Sequence, residues 1–251
     1  MRIAYNNYID DVSATALTAI SENGIYPLIN IQDQRLATQY RTTDVTGQSV
    51  IIDFGVAKTI SVAAILNHTI SGTTATILVE ANSSDSWPGA TSQTLIWNTN
   101  AILKFFAEQT YQYWKFSFED ADNTDGYLAM GRLWLGDYID VSPSSLLSFN
   151  VIKKNNDNVI FGIGRQKYAT PGVKWKQFEL EFPESQYSMV NKIETMFDTV
   201  GNHTSLIFCN FDTVRDYEIV EPCYCSIVGE LTFSHVRGMR FKYSLVLEEN
   251  K

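Results

Sequence analysis

The sequence is poor in several residue types on which common protein classes depend. Its 251 residues include only three cysteines, three histidines and six prolines. Three cysteines are too few for a disulfide-dense scaffold, so the fold must rest on an apolar core. No apolar run approaches the roughly 20 residues of a transmembrane helix. Residues 1–7 lack the apolar core of a signal peptide, so we expect a soluble protein made in a cytoplasm.

Cations are scarce in the first half of the chain. Residues 1–140 hold 7 Lys/Arg against 15 Asp/Glu, a net charge of −8, whereas residues 141–251 hold 12 against 13. Because nucleic-acid phosphates require clustered cations, the first half is a poor candidate for non-specific nucleic-acid binding. The nearly neutral second half is better suited to a packed interface between subunits.

The motifs of common catalytic and nucleotide-binding sites are also missing. The chain has no Gly-x-Ser-x-Gly elbow, no His-Glu-x-x-His pair and no Gly-x-x-x-x-Gly-Lys-Ser/Thr loop. Gly162-Ile163-Gly164 begins like a phosphate-binding loop, but it lacks the third glycine and lies in a predicted β-hairpin. We therefore expect no catalytic residues, no cofactor and no enzyme activity.

The cysteines and histidines offer one conceivable metal site. Cys223 and Cys225 are two residues apart on one face of a predicted strand, and Cys209 with His203 or His235 would complete a ligand set. The Cys-x-Cys spacing differs from the Cys-x-x-Cys of common zinc modules. The pattern therefore favours small buried apolar side chains over a metal.

Asp120, Asp122 and Asp125 make one turn strongly acidic. Paired carboxylates about 5–10 Å apart hydrolyse glycosides, so a glycoside hydrolase or lyase is an alternative that would need two carboxylates facing each other across a cleft. The spacing lacks the glutamate that closes an EF-hand calcium loop. A solvated turn between two strands is the interpretation that the sequence favours.

Short apolar segments rich in aromatic residues make up most of the first half. The chain has 14 Phe, 13 Tyr and 5 Trp, and such side chains favour pleated, half-buried strands. We predict strands near residues 25–31, 50–54, 59–67, 74–81, 94–97, 101–106, 112–119 and 127–136. Their order is typical of a jelly-roll β-sandwich, which we assign to residues 1–140.

A second unit, residues 141–251, follows a Pro/Ser-rich linker at Val141–Ser145. Alternation over Phe178–Phe182 predicts a half-buried strand. We predict a helix that opens at 183–185, with Ser185 as its cap, and ends at Gly201. Its apolar residues recur every three or four positions, so it should lie against a sheet. The second unit is therefore predicted to be a β-sandwich or split barrel with one flanking α-helix.

Three side chains are candidates for ligand binding: Trp87, Asp85 and His68. Trp87 and Asp85 lie in a polar loop, where an exposed tryptophan can stack on a sugar or anchor a protein partner. The alternative for Trp87 is that it folds back over the edge of the sandwich. His68 ends a predicted strand, where it would contact a ligand, act as a base or simply hold the strand end by a hydrogen bond.

The first half resembles the discoidin-like, galactose-binding-type jelly rolls of bacteriophage tail proteins over about residues 30–138. The residues that carry this resemblance are Ala37–Thr42, Ile52–Gly55, Ala64–His68, Ala75–Trp87, Tyr113–Phe116 and Gly131–Gly136. The loops of such modules vary freely, so the resemblance indicates a fold more strongly than a ligand.

The second half resembles, more loosely, the tube-forming domain of phage tail proteins, including distal tail proteins. The residues concerned are Trp175–Phe182, Glu184–Val200 and Cys223–Leu247, although distal tail proteins place the ring domain first. The resemblance implies a structural subunit of a distal tail or tail-tip ring, assembled in the host cytoplasm into the virion. Its partners would be its own copies, as a homo-oligomeric ring, and other proteins of the tail tube, hub or tip. The alternative is a carbohydrate-binding protein that recognises a host surface glycan.

Overall fold

The first half of the chain forms a β-sandwich. The computed structural model describes residues 1–72, 74–141, 148–161, 163, 165–212 and 217–250. In the first half these contain eight strands: β1 (Arg2–Asn7), β2 (Leu17–Ala19), β3 (Tyr40–Arg41), β4 (Gln48–His68), β5 (Thr76–Asn82), β6 (Thr91–Thr94), β7 (Ala101–Glu119) and β8 (Ala129–Asp140). Short 3₁₀ turns occur at Tyr8–Asp11, Ala14–Ala16 and Leu28–Gln32.

Two long bent strands, β4 and β7, build both layers of the sandwich. The first part of β4, Gln48–Asp53, pairs with the end of β7, and the part beginning at Lys58 pairs with the start of β7. The register breaks between Asp53 and Lys58, where Gly55 adopts a φ of 68°. β2 and β5 extend the first layer and β8 extends the second. The jelly-roll core is buried between the two layers.

The sequence predicted most of these strands but divided some of them wrongly. The segments predicted at 50–54 and 59–67 are one continuous strand, as are those at 101–106 and 112–119, because each strand bends from one layer into the other. The strand predicted at 25–31 is wrong. Leu28–Gln32 is a 3₁₀ turn that buries Leu28 and Ile31.

The described residues of the second half form an antiparallel sheet with one helix. Its elements are β9 (Ser148–Asn155), β10 (Asn158–Phe161), β11 (Lys167–Thr170), β12 (Lys174–Gln186), α1 (Tyr187–Val200), β13 (Leu206–Asp212), β14 (Tyr217–Ile227), β15 (Phe233–Arg237) and β16 (Arg240–Glu249). The strands lie in the order β1-β13-β14-β16-β12-β9, with β15 beside β16 and with β10 and β11 as a separate pair. The predicted class, mainly β with one flanking helix, is confirmed.

Helix α1 packs its apolar face on this sheet. Val190, Ile193, Met196 and Val200 are buried at helical spacing, and Gly201 ends the helix with a φ of 51°. The predicted start at 183–185 is wrong, because β12 continues to Gln186 and Ser185 pairs with Phe241 of β16. The residue that the sequence analysis assigned to the helix cap therefore belongs to the sheet, where it pairs with β16.

Strand β1 joins the two halves into one sheet. It pairs with β8 on one side and with β13 on the other. Ile3 therefore lies in the core of the second half, and Ala4 lies in a third apolar cluster shared by both halves. The proposed boundary at 140/141 stays a prediction, and residues 142–147, which include most of the proposed linker, lie outside the described residues.

The Asn7 side chain supplies hydrogen bonds where the pairing of β1 with β8 is irregular. The register shifts between Ile3 and Asn6, and the buried Asn7 amide takes the place of ladder hydrogen bonds. Its Nδ2 donates to the carbonyl oxygen of Leu133 at 3.0 Å, and its Oδ1 accepts from the backbone N–H of Leu135 at 3.1 Å.

We expect Asn7→Ala to destabilise the whole chain, because it leaves a buried carbonyl and a buried N–H unpaired. Each unpaired group costs about 1–3 kcal/mol, so the free energy of unfolding should fall by about 2 kcal/mol or more. Urea unfolding measures the change. Asn158→Ala, on the exposed β10, is the control and should change stability by less than about 0.5 kcal/mol. An equally small effect of Asn7→Ala would contradict this account of the junction.

Candidate functional site

Trp87 and Asp85 form a small polar platform beside the outer face of the jelly roll. The Trp87 indole Nε1 donates to Asp85 Oδ1 at 3.1 Å, and the ammonium of Lys115 lies 4.4 Å from the centroid of the indole ring. Lys115 in turn pairs with Glu80 at 2.6 Å, and Ser117 donates to the same carboxylate. Trp87 is half-buried, with one ring face covered by Lys115 and its N–H already satisfied.

The alternation of side chains along β7 makes Lys115 and Ser117 face outward. This alternation places Trp114, Phe116 and Phe118 in the core, so Lys115 and Ser117 point away from it. They line a shallow groove of about 460 Å³ on this sheet, together with Thr76, Leu78, Glu119 and residues near the start of β4. Lys115 therefore connects the Trp87 platform to an open groove on a rigid sheet.

His68 lies at the other end of the sandwich. Trp87 follows Asn82, which pairs with Tyr113 beside the corner where β4 and β7 bend, whereas His68 is the last residue of β4. Its Nε2 lies 2.9 Å from the carbonyl oxygen of Asn98, and its Nδ1 accepts the backbone N–H of Ile70. These two bonds assign the proton to Nε2. The structure thus brings Trp87 and Asp85 together but places His68 elsewhere.

A cleft of about 520 Å³ separates the two halves at the His68 end. Polar side chains from both halves line it, chiefly Asn67, His68, Lys176, Glu221 and Glu249. Glu221 accepts a hydrogen bond from Asn100 across the cleft, and Glu249 accepts the backbone N–H of Lys176. Sequence analysis missed this cleft because its residues come from six separated segments.

Of the other acidic and sulfur-bearing candidates, Asp120 and the three cysteines are buried, whereas Asp122 and Asp125 are exposed. Asp120 is buried and accepts hydrogen bonds from the backbone and hydroxyl of Ser71, at 2.8 and 2.7 Å. All three cysteines are buried and none forms a disulfide bond. Among the described residues, no group of three His, Cys, Asp or Glu side chains is placed to hold a metal ion. None of the helices that the structure describes is long and apolar enough to cross a membrane.

A two-stranded ribbon, residues 148–176, projects from the edge of the second half. β9 pairs with β12, and β10 and β11 continue the same antiparallel hairpin, whose turn contains Ile163. β16 supports β12 only from Gln177 onward. The ribbon tip, 156–173, therefore extends beyond the sheet by about 20 Å at the usual rise of a strand. Every residue of β10 and β11 is exposed.

Comparison with known proteins finds similar folds and no sequence family. No family model and no curated protein matches the sequence. Chitosan-binding module 1 of a chitosanase/glucanase from Paenibacillus sp. IK-5 aligns with 53% of this chain and 99% of its own, at 13% identity and a TM-score of 0.44.

Two further solved structures align over a similar share of the chain. The family 32 CBM of C. perfringens NanJ, in complex with galactose, covers 55% of this chain and 100% of its own, at 18% identity and a TM-score of 0.38. A fucose binding module of Streptococcus pneumoniae covers 53% and 95%, at 10% identity and a TM-score of 0.41. These structural neighbours are carbohydrate-binding modules. None of these comparisons supports a tail-protein family, and that assignment stays a prediction.

We expect His68 to make the fold acid-sensitive. Burial lowers its pKa below 6.5, while its bond to the Asn98 carbonyl and the charge of Asp120 act in the opposite direction. The stability that neutral His68 contributes is therefore present above about pH 6.5 and lost as the pH falls through the lower folded pKa. In thermal unfolding between pH 7.5 and 5, His68→Gln should show a smaller loss of stability than wild type.

His235→Gln provides the control, because His235 is exposed. It should leave the pH profile of unfolding unchanged. Parallel profiles for wild type and His68→Gln would refute the assignment of a neutral, buried His68.

Proposed function

We propose that this chain is a non-catalytic structural subunit that assembles with its own copies and with other proteins. The observation that carries the proposal is the ribbon, whose exposed tip is apolar. Val159, Ile160, Phe161 and Tyr168 are 40%, 58%, 66% and 60% exposed, and Ile163 at the turn is fully exposed.

An apolar tip on an isolated ribbon needs a partner. Isolated two-stranded ribbons are at best marginally stable in water without a third strand or another element packed against them. Burying a large apolar side chain contributes about 1.5–3 kcal/mol, so the five residues offer a substantial gross energy for association. Ile160 and Tyr168 are direct cross-strand partners on one face of the ribbon, whereas Val159 and Phe161 lie on the other face, so both faces of the tip expose apolar side chains. Exposed apolar surface is typical of protein–protein contacts.

The edge of the sheet offers a second contact. β9 is the last strand of the main sheet, and no described strand pairs with its outer side. Unpaired edges recruit further chains through backbone hydrogen bonds. A head-to-tail interface that uses the ribbon would close into a ring when the rotation between copies permits.

The specific assembly that we propose is a ring at the distal end or tip of a bacteriophage tail. The second half would form the ring, and the jelly roll would project outward. The subunit would assemble in the host cytoplasm and become part of the virion. The resemblance of both halves to tail proteins supports this proposal, together with the projecting ribbon.

We expect the triple variant Ile160→Thr, Phe161→Thr and Ile163→Ser to remain monomeric under conditions in which wild type assembles. Threonine keeps the strand preference at the first two positions while removing apolar surface. Analytical ultracentrifugation over a concentration series measures the change, which we expect to be at least tenfold in the dissociation constant.

A matched control changes three exposed apolar residues of the jelly roll, Ile25, Val56 and Ile96, to threonine. It should assemble like wild type. A wild-type chain that stays monomeric at high concentration and in the presence of tail components would count against the proposal.

A second candidate function is glycan recognition by the jelly roll. The favouring observation is the groove on the β5/β7 face, which is lined by hydroxyl and charged side chains and is bordered through Lys115 by an indole ring. Sugar-binding sites commonly combine an aromatic face with fixed polar groups.

For this function we expect a glycan array to give a hit that Trp87→Ala abolishes and Trp87→Phe partly retains. Loss of the stacking face should weaken binding about fivefold or more, since an aromatic contact is worth about 1 kcal/mol. Ile96→Ala, an exposed change elsewhere on the jelly roll, is the control. Silence of wild type across the array would favour the purely architectural function.

A further inference from the structure

The ribbon is a strongly basic segment of an acidic chain. Residues 148–176 hold six Lys/Arg and one acidic residue, whereas residues 1–140 carry a net charge of −8. Opposite charges are thus concentrated on two separate parts of the fold.

Three lysines share one face of the ribbon. Lys153 lies directly opposite Lys176, and Lys174 follows on the same face of β12. Like charges in direct cross-strand register destabilise a sheet unless a counter-charge offsets them. Among the described residues, neither Lys153 nor Lys174 forms an ion pair with a carboxylate. We call Lys153, Lys174 and Lys176 the lysine face. They line a hollow of about 340 Å³ together with Lys154, Asn155, Trp175 and the carboxylate of Glu249.

The jelly roll carries a matching acidic surface on the loops at its His68 end. Asp44, Glu119, Asp122 and Asp125 are exposed there, on the loops around Asp120, and we call them the acidic end. Asp120 ties these loops down through its hydrogen bonds to Ser71, and Asp122 accepts the hydroxyl of Thr74. None of the four exposed carboxylates pairs with a cation of the described residues.

Both surfaces lie at the same end of the molecule. Lys176 and His68 line the same cleft, and Asn123 of the acidic turn donates to the carbonyl of Thr69, next to His68. In a head-to-tail ring, two different surfaces of the chain meet across each interface, so the lysine face of one copy can meet the acidic end of the next. Within one copy, no ion pair between described residues joins the two surfaces.

We propose that the lysine face of one copy docks on the acidic end of the jelly roll of a second copy. This inference rests on the proposed self-assembly. It names the surfaces that fix the orientation of one copy relative to the next. The apolar tip supplies affinity, and the charges select the partner and its orientation.

The test is a charge swap followed by analytical ultracentrifugation. Lys153→Glu with Lys174→Glu, or Asp122→Lys with Asp125→Lys, should each weaken assembly at least tenfold. Mixing the two variants in equal amounts should restore association between them, because each supplies the surface that complements the other. Wild-type assembly should weaken at least tenfold between 50 and 500 mM salt, since screening shortens the reach of these charges.

The controls separate the possible failures. Asp11→Lys with Glu108→Lys makes the same charge change at exposed jelly-roll positions outside the acidic end and should assemble like wild type. The neutral pairs Lys153→Gln/Lys174→Gln and Asp122→Asn/Asp125→Asn should weaken assembly without restoring it on mixing, and they guard against misfolding of the reversed variants.

Assembly that survives every reversal and high salt, yet is lost in the tip variant, would overturn this docking and leave the proposed function standing. Loss in both reversals without recovery on mixing would also overturn it, because the acidic partner would then lie elsewhere. A wild-type chain that is monomeric at all salt concentrations would overturn both proposals.

Discussion

The double pairing of β1 is the constraint on which the rest of the structure depends. Arg2–Asn7 supplies backbone hydrogen bonds to the last strand of the jelly roll on one side and to β13 on the other. The two halves therefore share one continuous sheet. This shared sheet fixes the cleft between the halves and holds the ribbon and the acidic end on the same side.

A buried charge reinforces the junction that β1 creates. Arg132 of β8 is fully buried, donates to the carbonyl of Gln32 at 2.8 Å and pairs with Asp10. Burial raises the pKa of Asp10 to about 6, although the Arg132 guanidinium acts in the opposite direction. The guanidinium also lies 5.9 Å from the ring of Tyr224 in the second half. Removing one member of such a pair leaves an uncompensated charge, so loss of either Asp10 or Arg132 would destabilise this part of the fold.

The candidate sites follow from this rigid frame. The jelly roll presents a polar groove bordered by Trp87, and the second half presents a basic ribbon with an apolar tip. The sequence predicted Trp87 as a binding residue from its polar loop, but it did not predict that Lys115 covers one face of the indole. The ribbon was detectable as a local run of cations. Its exposure was not, because exposure depends on where β16 stops supporting β12.

Local patterns determined the strands and the helix of this protein. Alternation in β7 and the three-to-four spacing in α1 specify which side chains are buried, because each pattern has the period of its own element. The tertiary structure alone decided the start of α1, the bend that joins pairs of predicted strands, and the separation of His68 from Trp87. These features depend on pairing between strands far apart in sequence, and such pairing leaves no local period for a sequence to reveal.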